Sequence, residues 1–222
     1  MCGRTSLFSD PTAIERHFGA SLRTDGGYTP RYNIAPGEQL WTVRASAPET
    51  VAPMRWGIDG IRDSTHINAR AEGIDRRQTF AEAWMERPCL VATDGFYEWA
   101  DRGQGRRQPV RIYDPTGPFA LAGIWSTAAA GDPTVAIITC AANDVVAPIH
   151  DRMPVVIPET AYDRWLQGSP TTREALCDPA GGDGLTTVEI STAVNDPSND
   201  DPTIIEPVRG AQTGLDRFSS GR

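Results

Sequence analysis

Pro88-Cys89-Leu90-Val91-Ala92-Thr93-Asp94-Gly95-Phe96-Tyr97-Glu98-Trp99 is the stretch on which the fold turns. Cys89–Ala92 and Phe96–Trp99 are short runs of strand-forming residues, and Asp94-Gly95 between them is turn chemistry. The segment reads as strand–turn–strand. Side chains alternate across a strand. Phe96 and Glu98 therefore share one face, and Tyr97 and Trp99 the other. A carboxylate among these aromatics is either an acid–base group of raised pKa or an edge residue facing water. The strand alone leaves both readings open.

Outward from this stretch the same pattern repeats. Strand-like runs occur at Leu40–Val43, Met54–Ile58, Val110–Tyr113, Phe119–Trp125, Val135–Thr139, Val155–Ile157 and Val188–Ile190. Helix signals are few. Asp10 before Pro11 starts one helix, Ile14 and Phe18 share its apolar face, and Gly19 ends it. Thr79 with Glu82 forms a capping-box pattern for a short helix through Met85. Further helices fit Thr160–Leu166, closed by Gly168, and Thr171–Leu176 after Ser169-Pro170. Residues 24–37 are turn-rich and read as an ordered loop. The expectation is an α+β fold: a curved, mostly antiparallel sheet or partial barrel with a few short flanking helices. It forms a single domain over residues 2–209, followed by a flexible Gly/Ser-rich tail over 210–222.

Composition narrows the classes. The 222 residues fit one large domain, and an apolar share of 39% is enough for a sizeable core. No apolar run reaches membrane-spanning length and the start lacks a signal-peptide pattern, so a soluble, cytoplasmic monomer is expected. Cys89 and Cys140 lie in apolar runs as core thiols, and Cys177 looks peripheral. The four cysteines show no paired spacing and the three histidines are scattered. Nothing asks for a metal or an organic cofactor. The net charge is −8, which counts against a general affinity for nucleic acid. All 21 basic residues are arginine, a composition that suits a GC-rich, salt-rich host. Without lysine, the terminal α-amine is the only primary amine available for Schiff-base chemistry.

The start, Met1-Cys2-Gly3-Arg4, gives that amine a partner. The small cysteine side chain permits removal of Met1, leaving a thiol and an amine on adjacent carbons. Together they condense with an aldehyde and close a five-membered thiazolidine. The amine titrates near ~8 and the thiol near ~8.5, so a modest environmental shift is expected to activate both. The bland alternative is a frayed terminus. Two other segments place polar residues where packing explains them poorly: Ile67-Asn68-Ala69-Arg70-Ala71-Glu72 and Ile149-His150-Asp151-Arg152-Met153-Pro154. Asn68 either orients an amine or caps a turn. His150 is either a general acid or a structural histidine. Arg70 and Arg152 either hold phosphates bidentately or pair with surface carboxylates.

Taken in order, these segments join Tyr32-Asn33-Ile34-Ala35-Pro36 and Arg55-Trp56-Gly57 in one series. The series closely resembles the SOS response-associated peptidase family, the abasic-site processing proteins, from Cys2 to about Pro207. The resemblance implies covalent capture of the aldehyde of an abasic site in single-stranded DNA, shielding the lesion, with the protein associated with the nucleoid when engaged on DNA. Cys2 would be the nucleophile, with Asn68 bonding near its amine. Glu98 would shuttle protons, and His150 would assist opening of the sugar. Arg4, Asn33, Arg70 and Arg152 would contact the DNA, with Trp56 and Trp99 stacking on bases. Strand cleavage by β-elimination would be a side activity, and reversal of the crosslink would use the same proton shuttle. The competing reading is an N-terminal-nucleophile cysteine peptidase using Cys2, Glu98 and His150. A third is a non-covalent single-strand binder. One departure stands out: after Arg55-Trp56-Gly57 the family carries a proline and a second aromatic, and this chain runs Ile58-Asp59-Gly60-Ile61-Arg62.

Overall fold

The computed structural model describes residues 2–23, 27–60, 64–179 and 184–208. Ile61, Arg62 and the expected tail over 210–222 lie outside them. In chain order the first strands are β1 (Thr5–Leu7), β2 (Ser21–Leu22), β3 (Arg31–Ile34), β4 (Gln39–Arg44), β5 (Ala47–Trp56), β6 (Ile58–Asp59), β7 (Thr65–His66) and β8 (Asn68–Arg70). There follow β9 (Pro88–Thr93), β10 (Gly95–Asp101), β11 (Arg107–Tyr113), β12 (Phe119–Thr127), β13 (Pro133–Ala141), β14 (Arg152–Pro154), β15 (Val156–Ile157) and β16 (Thr186–Glu189). Four short helices accompany them: α1 (Pro11–Phe18), α2 (Ala81–Glu86), α3 (Tyr162–Gln167) and α4 (Pro170–Leu176).

The architecture is the expected α+β one, and the partial barrel proves to be a closed ring. β13, β12, β9, β4 and β5 pair antiparallel in that order. β5 then returns to β13 in a parallel pairing, Thr134 opposite Arg55 and Val135 opposite Trp56. Closure removes the exposed sheet edge that five open strands would leave. Apolar residues of all five strands are buried in one core, among them Val43, Val51, Val91, Leu121 and Ile137. Gly123 suits its place on β12 opposite Cys89 of β9, because a Cβ there would stand 2.9 Å from Cys89 Sγ.

A second sheet runs β16-β11-β10-β1-β3. Its faces divide as the alternation predicted. Phe96 and Ile112 join the main core, while Tyr97 and Val188 belong to a second cluster, covered by Val194 and Ile204 from 3-10 turns over Thr192–Asn195 and Pro202–Ile205. The strand–turn–strand of the opening stretch exists, but β9 and β10 do not pair with each other. They belong to different sheets, and Asp94-Gly95 is the corner between them. Asp94 accepts bonds from the backbone N–H groups of Phe8 and Ser9 at 2.6 and 2.7 Å, which ties β1 to that corner.

Local expectations met the structure unevenly. Asp10 caps α1 through Ala13 N at 3.0 Å, and Ser169 caps α4 through Thr172 N at 3.2 Å. The Thr79–Glu82 box does not form; α2 begins at Ala81 with no side-chain cap. Part of the expected loop over 24–37 is β3, because Arg31–Ile34 completes the edge beside β1. Cys177 is buried rather than peripheral, since the end of α4 packs onto the core.

Candidate active site

The first residues of the chain run alongside β10. Thr5 pairs with Phe96, and Tyr97 N donates to Arg4 O at 3.0 Å. Cys2 is thereby drawn inside; it is fully buried, and the frayed-terminus reading fails. Its thiol donates to Arg4 O across 3.8 Å. Burial, reinforced by the negative charge of Glu98, pushes the thiol pKa well up. The expected easy activation of Cys2 is therefore corrected: desolvation holds this thiol protonated, and a proton acceptor must act with it.

Glu98 supplies a group of the right kind. It lies in the interior of a sheet, on β10 between β1 and β11, and is 2% exposed, so the edge reading is also excluded. Burial raises its carboxyl from the ordinary 4.5 to about 7, while the terminal ammonium of the chain acts in the opposite sense. Such a group both gives and takes a proton near neutrality. Asn68 arrives from β8, held parallel to β13 by the Ile137–Asn68 register. Its Nδ2 donates to Cys2 O at 2.7 Å, and its Oδ1 is buried without a partner. A buried acceptor left unpaired is costly, and here it lies beside the residue whose amine Met1 removal would free.

His150 sits in the turn before β14. Two groups compete for its Nδ1. Arg152 N–H, at 3.0 Å, requires Nδ1 to be unprotonated; the Asp151 carboxylate, at 2.8 Å, requires Nδ1 to carry a proton, as the neutral Nδ1–H tautomer or the imidazolium. Burial lowers the His150 pKa, and the side chain of Asp151 is 87% exposed, so the neutral ring with Nε2–H prevails near neutral pH.

The residues expected at the DNA divide sharply. Arg4 is buried and donates to Asn33 Oδ1 and Val194 O, both at 2.6 Å. Asn33 is fully buried, its Nδ2 donating to Val194 O, Asp196 O and Asn199 O. Trp56 is fully buried with Nε1 on Ile67 O at 2.9 Å. These three lie in the interior of this structure. Trp99 is half-buried, its Nε1 on Asn195 Oδ1 at 2.7 Å. Arg70 is exposed. Arg152 is engaged with the Glu72 carboxylate at 2.6 and 2.9 Å and with Thr139 O at 2.7 Å. Sequence reasoning gave no role to the turns near Val194 and Asp196 that receive Arg4 and Asn33. Their Asp-Pro-Ser-Asn-Asp run carries only turn signals.

The sequence model of the family described as SOS response associated peptidase matches residues 1–197. The chain is 32% identical over 223 residues to the abasic site processing protein YoqW of Bacillus subtilis, with 93% of this chain and 99% of that protein covered. It is 31% identical to the abasic site processing protein YoaM of the same organism, with 93% and 98% covered. Among solved structures, a Bacteroides thetaiotaomicron protein superposes with a TM-score of 0.81 at 21% identity, covering 93% of this chain and 100% of that one, which is a likeness of fold.

Proposed function

The chain belongs to the SOS response associated peptidase family, and from that premise we propose that it captures abasic sites in single-stranded DNA through a covalent bond to Cys2. The observation that carries the reading is the meeting, at one buried point, of Cys2, an unpaired Asn68 Oδ1 and a Glu98 carboxyl raised to about 7.

The chemistry follows from those atoms. Hydrolysis removes Met1 and frees the Cys2 amine, whose N–H the Asn68 Oδ1 accepts. Neutral His150 presents Nε2–H to the ring oxygen of the abasic sugar, favouring the open aldehyde. The amine adds to the aldehyde carbon, and the carbinolamine hydroxyl takes a proton from Glu98 and leaves as water, giving an iminium, a protonated imine, beside the Glu98 carboxylate. The Sγ then adds to the same carbon, its proton passing to the Glu98 carboxylate while the iminium nitrogen takes the C=N electron pair, and the thiazolidine closes. Glu98 ends as it began, and one water is released for each ring formed. An imine also acidifies the adjacent C–H, so β-elimination of the strand competes until the ring closes. Running the ring closure backwards through Glu98 and returning one water to the iminium releases the DNA as the free aldehyde. A thiol held protonated by burial is a poor attacking group for an unactivated amide, which weighs against a peptidase acting on other proteins.

The test is incubation with a single-stranded oligonucleotide carrying one abasic site, read by denaturing gel and intact mass. The expected result is an adduct on the abasic strand only, formed by protein lacking Met1 and absent in Cys2→Ala. Absence of adduct with verified loss of Met1 overturns the reading.

A further inference from the structure

Past Glu98 the chain makes a turn whose charge is at odds with the rest of the molecule. β10 and β11 continue from the pairing of Glu98 with Val110 to that of Asp101 with Arg107, and Arg102-Gly103-Gln104-Gly105-Arg106 closes the hairpin. Arg106 N donates to Gly103 O at 3.1 Å and Gly103 N to Asp101 Oδ1 at 2.7 Å. Positive φ at Gly103, Gln104 and Gly105 turns the chain back. The tip is thus held by its own bonds, and Arg102, Arg106 and Arg107 are all exposed on it. Arg102 is paired with Glu189 of β16. Among the described residues neither Arg106 nor Arg107 has a carboxylate at ion-pair distance. Residues 101–107 hold three arginines and one aspartate, a charge of +2 in a chain of −8.

The strand that carries Glu98 also sets the place of this hairpin. Thr5 lies opposite Phe96 and Tyr97 N donates to Arg4 O, so the antiparallel run carries Cys2 towards the level of Trp99. At about 3.3 Å per residue, Asp101 stands only about 7 Å farther along β10, and the tip begins directly beyond it. His150 senses the hairpin from its own side: burial is the main cause of its lowered pKa, and the charge of Arg107 adds to it. We propose that the β10–β11 hairpin is a contact surface for nucleic acid outside the Cys2 site, on which Arg106 and Arg107 meet the phosphodiesters flanking the captured nucleotide. Two exposed guanidiniums with no carboxylate partner give up no ion pair when a phosphate arrives. The acidic remainder of the chain opposes them weakly, because charges more than about 8 Å away are largely screened at physiological salt. This inference rests on the single-strand reading above for the identity of the polyanion.

The experiment is fluorescence anisotropy of an undamaged single-stranded oligonucleotide over a range of salt. The parent protein is compared with Arg106→Gln/Arg107→Gln and with Arg16→Gln/Arg164→Gln, which removes the same charge from α1 and α3. The hairpin pair is expected to weaken binding about threefold to tenfold and to flatten the salt slope by about 1.4, two phosphate contacts. The helix pair is expected to change binding by less than about twofold. Arg106→Lys/Arg107→Lys keeps the charge and is expected to keep the slope. Equal losses in the two glutamine pairs overturn the proposal and leave net charge as the cause. Unchanged binding by the hairpin pair, or no binding by the parent protein, overturns it as well. A fall of many degrees in the thermal midpoint of the hairpin pair assigns these arginines to the fold and has the same consequence. Undamaged DNA needs no Cys2 chemistry. A hairpin effect in a protein that never captures an abasic strand keeps the surface and loses the covalent reading; capture by a protein indifferent to the hairpin does the reverse.

Discussion

The ring β13-β12-β9-β4-β5 and the seam where β1 runs along β10 bury their residues equally well and to opposite ends. Along β13 of the ring, Val135, Ala136, Ile137 and Ile138 are all fully buried and apolar. In the seam, Arg4, Glu98 and Asp94 are buried among them, with Asn68 reaching in from β8. Burial of apolar groups stabilises; burial of polar groups costs unless each is paired, and Asn68 Oδ1 is not. The ring therefore supplies the stability with which the seam holds its buried polar groups. Such local deficits mark functional sites better than exposure does.

The sharpest way to break the comparison is Cys2→Ala. It is expected to remove crosslinking entirely while moving the thermal midpoint by only a few degrees, since one buried sulfur changes packing little. A large fall in midpoint would mean that the seam is structural after all. The converse change is Leu121→Ala in the ring, expected to cost about 2–5 kcal/mol by denaturant unfolding. Its capture rate per folded molecule should be unchanged; a disproportionate loss would show that the two regions are coupled.

Glu98→Gln separates proton transfer from position. Capture is expected to slow by about 100-fold and to lose its dependence on a group titrating near pH 7. Stability gives a second reading. The Glu98 carboxyl is raised from 4.5 to about 7 in the folded chain, so the folded state holds this proton more tightly than the unfolded state. Its contribution is fully present below pH 4.5 and is lost as the pH rises through about 7, by at most about 1.4 kcal/mol per pH unit. Unfolding of Glu98→Gln across that window should lack this slope. An identical slope in both proteins would place the titrating group elsewhere.

The smallest effect is expected from Asn68→Ala. It removes the bond to Cys2 O and the waiting acceptor together, and should slow capture by about tenfold, equivalent to one hydrogen bond of about 1.4 kcal/mol. Loss of adduct as complete as in Cys2→Ala would promote Asn68 from orienting the amine to taking part in the chemistry.

Much of this was legible residue by residue. The alternation of Phe96, Tyr97, Glu98 and Trp99 sorted their faces correctly, because period two is a property of the backbone whatever packs on it. The helix at Pro11–Phe18 was legible for a similar reason: its cap, its proline and its stop are local. The pairing of β9 was not legible. A turn dipeptide says that the chain bends, and only Asp94 reaching Phe8 and Ser9 shows that it bends into another sheet. The state of Cys2 was misjudged for want of the same information, since a thiol's pKa depends on the water around it. The cationic and aromatic candidates were hardest of all. Arg4, Asn33 and Trp56 carry groups suited to nucleic acid, yet their partners here come from 11 to 190 residues along the chain.

The sequence by itself determined which groups this protein possesses: a cysteine directly after Met1, no lysine, one carboxylate in an aromatic strand, and strands enough for a barrel. Tertiary structure alone decided their states. It placed the thiol and Glu98 out of water, turned Asn68 towards Cys2, and set Glu72 in the fork of Arg152. Local propensity is written in neighbouring residues, whereas desolvation and pairing depend on which distant segments meet.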